Sequence, residues 1–263
     1  MLQQSALDAA VEVRVHRTEL GDLVVLEAGA GRPLLYLHGV GDGGGMIPAI
    51  ARLARRRRVV RPDHPGFLRS DAGEFRSVRE LAAWYARRID EWELHDIDLV
   101  GCSLGGWIAA ELALLRPAEV ATLTLVDPAG LAAGERQPDI FSLPADAAIE
   151  LTFATEEFRR TAREQPPGSE TSRLLQRSRE AAARIAGEPR PMHDPSLAAR
   201  LEGIVMPTRI IWGADDGIIP VEALASWGRA VPGAETTVIP DAGHLPHVEQ
   251  PSAFLAAVPH LVA

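Results

Sequence analysis

The residues best suited to chemistry lie in one stretch, Leu99-Val100-Gly101-Cys102-Ser103-Leu104-Gly105-Gly106-Trp107. The apolar run at 97–100 predicts a strand, and 104–115 predicts a helix closed by Pro117. The Gly-x-Ser-x-Gly turn between them has the layout of a nucleophile elbow. Gly101 and Gly105 leave room for the strand and helix backbones to approach. Ser103 then stands at the apex, over the positive end of the helix dipole. A serine hydroxyl is a poor nucleophile at neutral pH unless a base takes its proton, and histidine is the matched side chain. His244, with His247 as its local competitor, lies in the loop after the last predicted strand. The base in turn needs a carboxylate to hold its tautomer. Asp215 and Asp216 lie just past one predicted strand and Asp127 past another. A tetrahedral oxyanion needs backbone donors, and the Leu104 N–H at the start of the elbow helix is one.

The elements that must position these groups alternate along the chain. Residues 11–17 alternate apolar and polar side chains, and with 23–27 they predict a hairpin at a sheet edge. The run 34–37 is uniformly apolar, as in a strand buried on both faces. Further strands are predicted at 59–61, 97–100, 122–126, 208–212 and 235–239, with helices at 47–56, 78–92, 104–115, 221–230 and from about 251. This alternation gives an α/β class with a mostly parallel sheet covered on both faces. From 131 to 201 no strand pattern occurs. Short amphipathic pieces are instead broken by Pro138, Pro144, Pro166-Pro167, Gly187-Glu188-Pro189 and Pro195, which predicts a helical insertion.

The loop after 34–37 is glycine-rich and carries a rival reading. Gly39-x-Gly41-x-x-Gly44, with Asp63 about twenty residues on, fits a dinucleotide fingerprint. Against it, His38 separates the strand from the first glycine, the glycine register is not unique, and two strands precede this one. His38 itself reads as a hydrogen-bonded core histidine that shapes the loop. His16, His95, His193 and His260 carry no pattern. Arg52 and Arg55 to Arg58 read as a solvated, basic helix end.

Taken together, His38-Gly39, Asp63-His64-Pro65-Gly66-Phe67, Gly101-Cys102-Ser103-Leu104-Gly105-Gly106, Gly213-Ala214-Asp215-Asp216 and Gly243-His244-Leu245-Pro246-His247-Val248-Glu249-Gln250-Pro251 resemble the α/β-hydrolase superfamily over nearly the whole chain. The order Ser, Asp, His is the superfamily's order. The resemblance implies an eight-stranded core with a helical cap inserted after strand six. The core would comprise 1–130 and 202–263, and the cap 131–201. It implies a triad of Ser103, Asp216 and His244, an oxyanion hole of the Val40 and Leu104 N–H groups with Gly41 as a fallback, and a packing role for His247. Asp127 remains a second position for the acid. Trp107, Phe141, Phe153, Phe158 and Met192 fit an acyl pocket as well as they fit ordinary packing.

The implied activity is hydrolysis of a carboxylic ester or lactone of a small organic molecule through an acyl-enzyme. Serine in place of aspartate disfavours the haloalkane dehalogenases and epoxide hydrolases. Carbon–carbon bond hydrolases of ring-fission products usually carry tryptophan where Leu245 stands, and often asparagine where Cys102 stands. They remain the alternative, along with cofactor-free haloperoxidases and a ligand-binding protein that keeps a slow triad.

The totals agree with one large α/β unit. The 263 residues are 46% hydrophobic, and the net charge of −9 argues against nucleic acid or an anionic membrane as partner. A small-molecule substrate is expected, and a homodimer stays open. Cys102 is the only cysteine, which excludes an intrachain disulfide. No cofactor or metal is expected, because neither a His-x-x-x-His pair nor a cysteine cluster occurs. Met1-Leu2-Gln3-Gln4 begins no signal-peptide pattern, and no apolar run is long enough to span a bilayer, so a cytoplasmic location is the expectation.

Overall fold

Consecutive residues of the central strands part to opposite faces of one sheet. Leu35, Leu37, Leu99, Ile210 and Trp212 enter one buried cluster, while Leu34, Tyr36, Val100 and Ile211 enter another. Runs that are apolar at every position form because both faces are covered, with side chains alternating at a period of two. The computed structural model describes residues 10–134, 137–166, 168–186 and 192–263.

Eight strands form one sheet. They are β1 (Glu12–Thr18), β2 (Gly21–Ala28), β3 (Arg32–Leu37), β4 (Arg57–Pro62), β5 (Ile97–Cys102), β6 (Val120–Val126), β7 (Thr208–Gly213) and β8 (Glu235–Ile239). Their order is β1-β2-β4-β3-β5-β6-β7-β8. β1 pairs antiparallel with β2 and β2 with β4, and every other pairing is parallel. The expected hairpin therefore stands at one edge. Because β5 to β8 are successive neighbours, the loops after them come together at one end of the sheet, where parallel strands all terminate.

The helices are α1 (Pro48–Leu53), α2 (Val78–Glu91), α3 (Leu104–Leu115), α4 (Ala145–Thr152), α5 (Glu156–Arg163), α6 (Glu170–Ala186), α7 (Leu197–Leu201), α8 (Ala223–Ala230), α9 (Pro246–Glu249), α10 (Pro251–Ala257) and α11 (Pro259–Val262). α4 to α7 fill the interval between β6 and β7, so the chain carries its helical insertion after strand six. Pro144 caps α4. The breaks expected at Pro167 and Gly187-Glu188-Pro189, and the leader expectation at 1–4, lie outside the described residues.

Several boundaries differ from the sequence pattern for physical reasons. β5 runs two residues further because Gly101 and Cys102 stay paired with Leu37, Leu125 and Val126. α1 is shorter at both ends, starting at a proline and giving way to a turn before Arg57. The basic cluster is not simply a solvated helix end. Arg57 is a buried residue of β4 whose guanidinium meets the Asp98 carboxylate at 2.7 Å and the His260 carbonyl at 2.7 Å. Arg57 tethers β4 to β5 and to the last helix, while Arg52, Arg55 and Arg56 are exposed.

Candidate active site

Ser103 links β5 to α3 with φ 55° and ψ −121°. Positive φ costs a non-glycine residue of order 1–3 kcal/mol, so the neighbours must hold it. They do: the Ser103 N–H donates to the Val126 carbonyl at 2.9 Å, and its carbonyl accepts from Ala129 at 3.0 Å. Gly105 lets the turn close, because a Cβ there would overlap the Leu37 and His38 carbonyls. The helix bounds agree with the sequence pattern to the residue.

His244 and Asp216 lie side by side. His244 Nδ1 lies 2.7 Å from Asp216 Oδ2, with both residues buried. Asp216 Oδ1 accepts from the Ile218 N–H at 2.8 Å and the Ile219 N–H at 2.9 Å. An ionised acid so placed holds the Nδ1–H tautomer and leaves the Nε2 lone pair free. Asp215 is exposed. Among the described residues no hydrogen bond joins the Ser103 hydroxyl to the His244 ring, a looseness common before substrate binds. Asp127, Asp216 and His244 bring three ligand-type atoms within 4.8 Å of one another. His244 Nδ1 and Asp216 Oδ2 face each other in the hydrogen bond just described.

The loop carrying Val40 lies against the elbow, for a Cβ on Gly39 would stand 3.0 Å from Ser103 Cβ and 3.7 Å from its Oγ. Neither the Val40 nor the Leu104 N–H has an acceptor among the described backbone hydrogen bonds. A relay of buried side chains holds the loop. His38 Nε2 accepts from the His64 N–H at 3.2 Å, so its proton is on Nδ1 and donates to the Gly39 carbonyl at 2.8 Å. His64 Nε2 donates to the His38 carbonyl at 2.9 Å, and its Nδ1 accepts from the Tyr85 hydroxyl at 2.7 Å. Both rings are neutral: burial pushes His38 down to about 3 and His64 well below the ordinary histidine range.

On the same loop, Asp42 pairs with the fully buried Arg61 and accepts from the Gly44 N–H at 2.8 Å. Asp63, expected at the ribose position of the dinucleotide reading, is fully buried between Arg61 at 2.6 Å and Arg69 at 2.8 Å. It has no face to offer a ribose, and α1 begins only at Pro48, beyond the glycines. Burial works against the Asp63 charge, but Arg69 and Arg61 hold its carboxyl below the usual range.

His247 is buried and its Nε2 lies 2.9 Å from the Tyr36 hydroxyl, so it packs the last loop. Trp107 and Met192 are buried in the larger core cluster, Phe141 packs against that cluster, and Phe153 and Phe158 stack with centroids 5.9 Å apart. Sequence reasoning missed Glu249. Its Oε1 accepts from Gly243 at 2.8 Å, and its Oε2 from Ala154 at 2.9 Å and Thr155 at 3.3 Å. Together with the His244 N–H donating to the Thr152 carbonyl at 2.8 Å, it ties the His244 loop to the insertion. The signal available was an acid five residues past the candidate base, at the end of the short helix that follows it.

A mostly parallel sheet with a strained serine at the β5–α3 turn, and an acid and a histidine on the loops after β7 and β8, defines the α/β-hydrolase class. Residues 34–258 match the model of the alpha/beta hydrolase family, and the chain belongs to that family. It is 30% identical over 239 residues to the dihydrolipoyllysine-residue acetyltransferase component of the acetoin cleaving system of Pseudomonas putida, covering 83% of this chain but only 60% of that relative. It is 28% identical to a pimeloyl-(acyl-carrier protein) methyl ester esterase of Aeromonas hydrophila, covering 89% of this chain and 96% of the relative. Its fold superposes on 2-hydroxy-6-oxo-6-phenylhexa-2,4-dienoate hydrolase from Rhodococcus sp. strain RHA1 with TM-score 0.76 at 21% identity, covering 97% and 100% of the two chains. Among the described residues no helix is long and apolar enough to cross a membrane.

Proposed function

We propose that this chain is a serine hydrolase that cleaves a carboxylic ester or lactone of a small organic molecule through an acyl-enzyme. The observation that carries the reading is the 2.7 Å His244–Asp216 bond, at the same end of the parallel strands as a serine strained into an elbow. Ser103 attacks the carbonyl carbon as His244 Nε2 takes its proton. The oxyanion rests on the Val40 and Leu104 N–H groups. His244 then gives its proton to the departing alcohol, and a water, deprotonated by the same ring, releases the acid. Trp107, Phe141, Phe153, Phe158 and Met192 are the candidate lining for the acyl group. The relative from Aeromonas hydrophila, whose name is that of a methyl ester esterase, supports the ester reading.

The test is turnover of a short-chain nitrophenyl ester by the wild type and by Ser103→Ala. The reading expects hydrolysis that the substitution abolishes. Equal background rates in both would support a ligand-binding role instead. A second reading, cleavage of a carbon–carbon bond in a ring-fission product, is supported by the 28% identity to a 2-hydroxy-6-oxo-6-phenylhexa-2,4-dienoate hydrolase of Burkholderia cepacia over 87% of this chain. Decay of such a dienol's visible absorbance, with no ester turnover, would select it.

A further inference from the structure

Asp127 lies just past β6, is fully buried, and is not used in the mechanism above. It arrives in a strained backbone, φ 43°, its N–H tied to the Ile211 carbonyl at 2.9 Å. Its Oδ1 accepts from the Gly213 N–H at 2.9 Å. Its Oδ2 is buried with no donor facing it. The neighbours explain why. From the loop after β7 comes Asp216, within hydrogen-bonding reach; from the loop after β8, His244; from α9, Glu249; and from the end of β5, Cys102. Apart from His244, whose Nδ1 already faces Asp216, these are acids or a thiol. A carboxylate offers about four lone-pair positions. On Asp216 three are taken, by Ile218, Ile219 and His244, which leaves one open.

We propose that Asp127 is a neutral carboxylic acid that donates its Oδ2 proton to the Asp216 carboxylate, making it a positioning residue for the His244–Asp216 pair. Two anions at this separation in a dry site cannot both be stable, and the one without the imidazole keeps the proton. The burial of Asp127 and the charge of Asp216 both raise its pKa well above the carboxylate range, in agreement. The proton on Asp127 fills the last site on Asp216 and fixes the plane of its carboxylate. It also adds no second negative charge beside the imidazole. This inference rests on the serine hydrolase reading for its meaning, but its tests do not depend on turnover.

The experiment follows the His244 ring by NMR through pH in the wild type, Asp127→Asn and Asp127→Ala. Asparagine keeps both an acceptor for Gly213 and a donor for Asp216, so the His244 midpoint stays in place. Alanine removes the donor, strengthens the Asp216 anion and raises the midpoint. If Asp127 were ionised, both substitutions would delete a charge and lower the midpoint by about a unit, which would overturn the proposal.

A second measurement, urea unfolding, covers a failure to follow the ring. A neutral Asp127 binds a proton in the folded chain that it loses on unfolding above its ordinary carboxylate range. The unfolding constant of the wild type relative to Asp127→Asn therefore rises about tenfold per pH unit between pH 5 and 7. A ratio flat with pH would contradict the proposal. Loss of a protonated-carboxyl infrared band in Asp127→Asn agrees with it. These readouts survive if the enzyme cleaves another bond, so failure of the ester assay and failure of this inference are separable.

Discussion

A single hydrogen bond fixes which nitrogen of His244 carries a proton, and the rest of the proposed chemistry follows from that. Asp216→Asn would present an amide donor to Nδ1, reverse the tautomer and protonate the nitrogen meant to act as base. Its kcat should fall about 10⁴-fold with little change in KM, a result steady-state assays read directly. Ser103→Ala and His244→Ala should each fall as far, and combining them should cost little more, because residues acting as a unit are not additive. At this scale the sequence was informative where a residue's role is written into its neighbours: Ser103 between glycines, His244 after Gly243. It was silent where the partner is far along the chain. Arg57 reads as a surface charge until Asp98 is folded beside it, and Asp127 reads as a spare acid until Asp216 takes its place opposite.

The loop after β8 depends on a joint between elements. Glu249 accepts three backbone N–H groups, two of them from the residues between α4 and α5, so the insertion and the His244 loop share one side chain. Glu249→Gln turns one acceptor into a donor that faces N–H groups. The expected loss is about 1–3 kcal/mol, seen as a lower urea midpoint, with a fall in kcat as His244 loosens. An unchanged midpoint and kcat would show that the joint bears no strain. α3 was legible to the residue because its start is a turn with a distinct composition and its stop is marked by a proline. β5 reads short in the sequence because glycine and cysteine carry no strand signal, although Gly101 is paired on both sides and Cys102 with Val126. The alternating pattern gives the mostly parallel sheet and the strand-free stretch of the insertion, whereas the order of the strands and which helix of the insertion grips which loop do not follow from it, since those contacts depend on distant partners and on side chains such as Glu249 that share no local pattern.

Across the whole molecule, buried histidines set the acid limit of stability. His38, His64 and His247 are neutral when folded, and burial holds His38 at about 3 and His247 at about 4. Below pH 6.5 the unfolded chain binds protons that the folded chain refuses, so stability falls as pH drops from about 6.5 toward 4. His247→Gln should flatten that slope by one proton, recovering about 3 kcal/mol of pH-dependent loss by pH 4, as read from urea midpoints across the range. A slope identical to the wild type would mean that His247 is charged in the folded chain. The acidic overall balance of −9 works in the same region, since it diminishes as carboxylates protonate.

The central claim is that Ser103 is activated by His244 held on Asp216. Its most direct test is peptide mapping of the protein after reaction with a fluorophosphonate. The account predicts one covalent adduct, on the peptide bearing Ser103, and none in His244→Ala. A protein left unmodified at every pH, or modified at another residue with Ser103 intact, would contradict it.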